Sequence, residues 1–113
     1  MKVSTEIEIK STDYGFATIY IACDPIQARQ FLRGYCMKGA CVSVSDCEYI
    51  YTFGAEIGVR VDIINYARFP VSQLEITNEA KILAKEMITN LHQGSCTVFS
   101  PDGSFFLSRR KSE

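Results

Sequence analysis

A two-layer α+β sandwich is the fold class this sequence predicts, with an antiparallel sheet covered by two helices on one face. Three observations predict it. Segments with strand-like apolar patterning recur along the chain, and two amphipathic helices with complete start signals interrupt them. The resulting order, β-β-α-β-β-α-β-β, contains the β-α-β-β-α-β unit of the ferredoxin-like sandwich. A chain of 113 residues with 47% apolar side chains forms one domain with a real core, expected over 1–108, followed by a basic C-terminal tail over 109–113.

Val3, Thr5, Ile7 and Ile9 alternate with Lys2, Ser4, Glu6, Glu8 and Lys10, which predicts an outer strand with one wet face. Phe16 to Cys23 is apolar on both faces and belongs in the middle of the sheet. Asp24-Pro25-Ile26-Gln27 then supplies an N-cap, a proline at the first helical position and a capping-box glutamine. Ala28, Phe31, Leu32 and Tyr35 fall on one face of the helix that follows, and Gly39 ends it.

Cys41 to Thr52 and Val59 to Tyr66 are β-rich and joined by residues 53–58 as a hairpin connection; the apolar phase slips near Asp46-Cys47, which predicts a bulge. The strongest local signal is Val71 to Gly94. Ser72 and Glu75 form a capping box, Val71 and Ile76 a hydrophobic staple, and Gly94 a left-handed stop. The stripe between them is Ile76, Ala80, Leu83, Ala84, Met87 and Leu91. A closing hairpin follows, Cys96 to Phe99 and Ser104 to Ser108 around Ser100-Pro101-Asp102-Gly103, whose residues suit a type I turn.

Composition excludes several function classes. Twelve Lys+Arg against thirteen Asp+Glu give a net charge of −1, so the chain is no general polyanion binder. No apolar run is long enough for a signal peptide or a membrane span, and a cytoplasmic protein without membrane contact is expected. The five cysteines, Cys23, Cys36, Cys41, Cys47 and Cys96, are odd in number and contain no C-x-x-C pair, as expected of reduced thiols. A zinc site from Cys36, Cys41 and Cys47 would lack short ligand knuckles, so no metal and no cofactor are expected.

Ile19-Tyr20-Ile21-Ala22-Cys23-Asp24 resembles the short motif on the first core strand of RNA-recognition domains, and the resemblance implies a base stacked on Tyr20. Residues 58–66, where the longer second motif belongs, lack its glycine and aromatic spacing and carry Asp62. Catalytic signatures are equally incomplete. His92 is the sole histidine, a pairing with Cys96 lacks an orienting third group, and no glycine-rich phosphate loop is present.

One candidate binding site remains. Asn65, Tyr66, Arg68 and Phe69 precede the N-terminus of the Ser72 helix, where free N–H groups favour an anion, and Arg109 and Arg110 are expected to join it across a subunit boundary. An open sheet face bearing Tyr20, Tyr49, Tyr51 and Tyr66 predicts a homo-oligomer. The expected function is a non-enzymatic binding protein, such as a small phage or mobile-element inhibitor that binds a host defence protein or sequesters a small anionic, nucleotide-like ligand. Two alternatives accompany it: an RNA or single-stranded nucleic-acid-binding module, and a small enzyme using His92 or a thiol.

Overall fold

The computed structural model describes residues 5–109. Seven elements follow in order: β1 (Phe16–Ala22), α1 (Pro25–Cys36), β2 (Ser43–Tyr51), β3 (Gly54–Ile64), α2 (Gln73–Asn90), β4 (Ser95–Ser100) and β5 (Gly103–Ser108). They form one five-stranded antiparallel sheet, ordered β2-β3-β1-β4-β5, with the two helices packed against it. The fifth strand takes the arrangement beyond a simple ferredoxin-like sheet. The additional first strand is a correction: residues 5–15 enter no ladder, and residues 1–4 lie outside the described residues.

β1 is central because both its faces can be buried. Ala17, Ile19 and Ile21 point into the helix layer, and Thr18 on the other face is closed off by Asp62, to which its hydroxyl donates a 2.6 Å hydrogen bond. Val59, Val61, Val98 and the α2 stripe Ile76, Ala80, Leu83, Ala84 and Met87 complete the core. Burial of each large apolar side chain contributes about 1.5–3 kcal/mol. Such packing, more than intrinsic helix propensity, holds an 18-residue helix that contains two threonines, three isoleucines and two asparagines, all of modest propensity.

Both N-caps form where the sequence places them. Asp24 accepts from the Ile26 amide at 2.8 Å with Pro25 in the first turn, and Ser72 accepts from the Glu75 amide at 3.1 Å. The stop of α2 differs from expectation. His92, not Gly94, adopts the left-handed conformation at φ 55°, and the amides of His92 and Gln93 bond back to the carbonyls of Thr89 and Ile88.

The β2–β3 hairpin is longer than expected, because the turn is only Thr52-Phe53, with Phe53 at φ 68°. Its register runs unbroken from Ser43 opposite Asp62 to Tyr51 opposite Gly54, so the expected bulge is absent. Asp46 interrupts the apolar phase because it faces α1, where its carboxylate meets Arg29 at 2.6 Å.

Candidate functional site

A cleft of about 500 Å³ opens between the α1–β2 loop, the end of β3 and the first half of α2. The left-handed Gly39, at φ 109°, turns the chain after α1 and sets Ala40, Cys41 and Val42 along one wall. Tyr66, Phe69 and Val71 come from the link into α2. Glu75, Asn78, Glu79 and Ile82 come from α2 itself, spaced i, i+3, i+4 and i+7 so that they form one face beside the core stripe.

The lining is mostly apolar with acidic groups on one side. Glu79 is fixed by the Tyr35 hydroxyl, which donates to its Oε1 at 2.6 Å, and the Lys38 ammonium stands 3.8 Å over the Tyr35 ring. Burial, reinforced by the neighbouring Glu79 carboxylate, raises the Tyr35 pKa far above the usual phenol range, so this hydroxyl remains a donor. The Tyr66 hydroxyl is likewise held in its neutral form by interaction with the Cys41 thiol, with burial adding to the effect.

The sequence-derived candidates are divided by the fold. Tyr66 and Phe69 line the cleft. Arg68 is exposed with its guanidinium 5.2 Å from the Phe69 ring centre. Asn65 is a structural tie: its side-chain amide donates to Asp13 O at 2.8 Å and Thr12 Oγ1 at 3.2 Å and accepts from the Val71 amide at 2.9 Å. Arg109 bonds through Nε to Gln93 O at 2.9 Å, past the other end of α2, and an 18-residue helix is about 27 Å long. Within one chain it therefore stands far from Arg68, and Arg110 lies outside the described residues.

Cys41, Glu75, Asn78, Glu79 and Ile82 were not among the candidates. The signal for two of them was present, since like charges at i and i+4 on a helix destabilise it slightly and so ask for a reason. His92 is exposed beyond the C-terminus of α2, and Cys23 and Cys96 are buried thiols whose pKa values burial pushes up to about 11. None of the three borders the cleft. Tyr20 lies on the sheet face away from the helices, half-buried, with the Arg60 guanidinium 5.8 Å from its ring centre. Among the described residues no group of three or more His, Cys, Asp or Glu side chains converges as a metal site, and no helix is long and apolar enough to cross a membrane.

No protein-family model matches the sequence, and no curated protein matches it. Two solved structures share its fold. One is a phage SAM lyase in complex with S-methyl-5'-thioadenosine, at TM-score 0.71 and 15% identity, over 96% of this chain and 100% of that one. The other is a phage SAM lyase in the apo state, at TM-score 0.62 and 16% identity with the same coverage. At these identities the likeness is one of fold. It nonetheless corrects the expectation of a non-enzymatic binder or inhibitor, because the fold matched over 96% of this chain is that of an enzyme in both structures.

Proposed function

We propose that the chain is a lyase that cleaves S-adenosylmethionine in this cleft and releases S-methyl-5'-thioadenosine. The observation that carries the reading is the pairing of an aromatic wall, Tyr66 and Phe69, with an acidic wall, Glu75 and Glu79, in a cavity of about 500 Å³ on a SAM-lyase fold. That volume suits a nucleoside-sized ligand. The aromatic faces suit an adenine ring or a sulfonium, and the carboxylates suit the sulfonium and the ammonium group of a cationic substrate. The proposed ligand is thus a cation, in place of an anion held by Arg68.

Release of S-methyl-5'-thioadenosine requires the bond between sulfur and the methionine γ-carbon to break, with the electron pair staying on sulfur. The substrate's own carboxylate can form the new bond, its oxygen attacking the γ-carbon to close a five-membered lactone. No proton moves and no water is consumed. Carboxylate and sulfonium charges cancel as the ring closes, so the apolar walls formed by Val42, Ile63, Ile76 and Ile82 favour the transition state over the hydrated substrate. The protein then needs to fold the substrate into an attacking conformation, without supplying a nucleophile. Consumption of a methyl donor also accords with a phage anti-defence setting.

Incubation of the purified chain with S-adenosylmethionine, followed by mass spectrometry, tests the reading. The expected products are S-methyl-5'-thioadenosine and homoserine lactone in equal amounts. Substrate that survives at the rate of its decay in buffer overturns the proposal.

A further inference from the structure

The α1–β2 turn brings two thiols together at the wall of the cleft. α1 ends at Cys36, the Gly39 amide donates to the Cys36 carbonyl at 3.0 Å, and the left-handed Gly39 sends the chain back past the helix end. The Cys36 sulfur, half-buried against the core, meets the backbone amide of Val42, whose nitrogen is two bonds from the Cα of Cys41. Cys41 itself is exposed and lines the cleft, with its thiol at the Tyr66 hydroxyl. A disulfide needs Cα atoms about 4.4–6.8 Å apart, and the reversal at Gly39 supplies that approach.

The other thiols offer no such pair. Cys47 on β2 stands opposite Gly58, and Gly58 opposite Ala22, next to Cys23. Cys23 and Cys47 therefore flank β3 at two strand spacings, about 9.6 Å, which a disulfide does not span. Cys23 and Cys96 are also buried in the core, closed to a dissolved oxidant. The accessible thiol is Cys41, and the one placed to resolve a bond formed on it is Cys36.

We propose that Cys36 and Cys41 form a reversible disulfide, made by exchange with a small disulfide such as oxidised glutathione, which withdraws Cys41 from Tyr66 and reshapes the cleft. The Cys41 thiolate attacks one sulfur of the oxidant and one glutathione leaves as its thiolate. The Cys36 thiolate then attacks the Cys41 sulfur of the mixed disulfide and expels the second. Two electrons pass from the cysteine pair to the oxidant, and the two cysteine protons end on the two released glutathiones. The bridge also tightens the turn that holds Ala40 and Val42 along the wall. Its effect on turnover, unlike its formation, rests on the lyase reading given above.

Incubation of the full chain with oxidised glutathione, alkylation of the remaining thiols and tryptic mass mapping test this. Cleavage after Lys38 separates the two cysteines, so the bridge is expected as a linked pair of peptides that dithiothreitol releases. Cys36→Ser is expected to stop at the mixed disulfide on Cys41. A wild type that keeps both thiols, stops at the mixed disulfide or joins another pair would overturn the proposal. Turnover of S-adenosylmethionine by the bridged chain is expected to be at least fivefold below that of the same sample after dithiothreitol. Equal turnover in the two states would overturn the effect on the cleft. A reduced chain without turnover would count against the lyase reading alone, since the peptide map still decides the bridge.

Discussion

The hydroxyl of Tyr35 on α1 donates a 2.6 Å hydrogen bond to Glu79 Oε1 on α2, and so ties the two helices together at the border of the cleft. Tyr35 is buried, and its partner is a carboxylate, which makes the bond charge-assisted. Tyr35→Phe is expected to cost about 1–2 kcal/mol in urea-induced unfolding. It is also expected to weaken substrate use, seen mainly as a higher KM, because Glu79 loses the contact that aims it.

Glu79→Gln keeps the shape of the side chain and removes its charge. If the acidic wall attracts a cation, kcat/KM for S-adenosylmethionine falls about 10–100-fold, equal to about 1.4–2.7 kcal/mol of lost stabilisation. Unfolding measurements distinguish this from loss of fold. Unchanged kinetics in a stable variant would remove Glu79 from the site.

His92 terminates α2 in a left-handed conformation that glycine adopts at less cost. His92→Gly is therefore expected to stabilise the protein by about 0.5–1 kcal/mol, read as a higher Tm. Turnover is expected to be unchanged, since His92 does not border the cleft. A loss of turnover in the stabilised variant would give this histidine a role that the geometry does not.

Gly58 sits opposite Ala22 where β1 and β3 pair, under the Tyr49 ring. A Cβ there would collide with the Ile21 carbonyl and lie 2.6 Å from Tyr49 Cε2 and 2.8 Å from Ala22 Cα. Two of these neighbours are backbone, which cannot turn aside. Gly58→Ala is expected to destabilise by at least about 3 kcal/mol. A variant that melts within a degree or two of wild type would show that the sheet relaxes more easily than this packing implies.

The buried thiols are expected to contribute to the loss of stability at alkaline pH. Burial raises Cys23 and Cys96 from 9.0 to about 11, so the folded state binds these protons more tightly than the unfolded state. Their contribution is complete below pH 9 and is lost as pH rises from 9 to 11. Thermal melts are expected to show a falling Tm across that window, with a shallower fall in the variant Cys23→Ala, Cys96→Ala. Equal slopes in the two proteins would refute the assignment.

The helices and their starts were legible in the sequence because capping and a 3.6-residue period are local properties, as at Ser72 and Asp24. The strand faces were less so. Asp46 reads as a break in register until Arg29 is seen opposite it, and Phe53 gives no hint that a two-residue turn will form there. The segment around Ile7 and Ile9 has a strand's pattern, but pattern cannot supply an edge to pair with, and residues 5–15 enter no ladder. The cleft was half legible: Tyr66 and Phe69 lie in a link that already drew notice, whereas Glu75 reads as a cap and Glu79 falls outside the apolar stripe of the helix. The proposed lyase activity stood in the sequence only as an alternative, with His92 or a thiol as its group, and the reason is chemical. If the substrate carries both nucleophile and leaving group, the chain needs a shaped, partly apolar cleft, and no motif records that.

The most direct test is the rate of S-methyl-5'-thioadenosine formation from S-adenosylmethionine by wild type and Ile82→Trp, compared under one condition. Ile82 is half-exposed on the cleft side of α2, so an indole there fills the cavity without entering the core. The expected result is turnover by the wild type and at least a tenfold loss in a variant that melts normally, about 1.4 kcal/mol or more. Absence of the product with wild type, or undiminished turnover with the cleft filled, would contradict cleavage at this site.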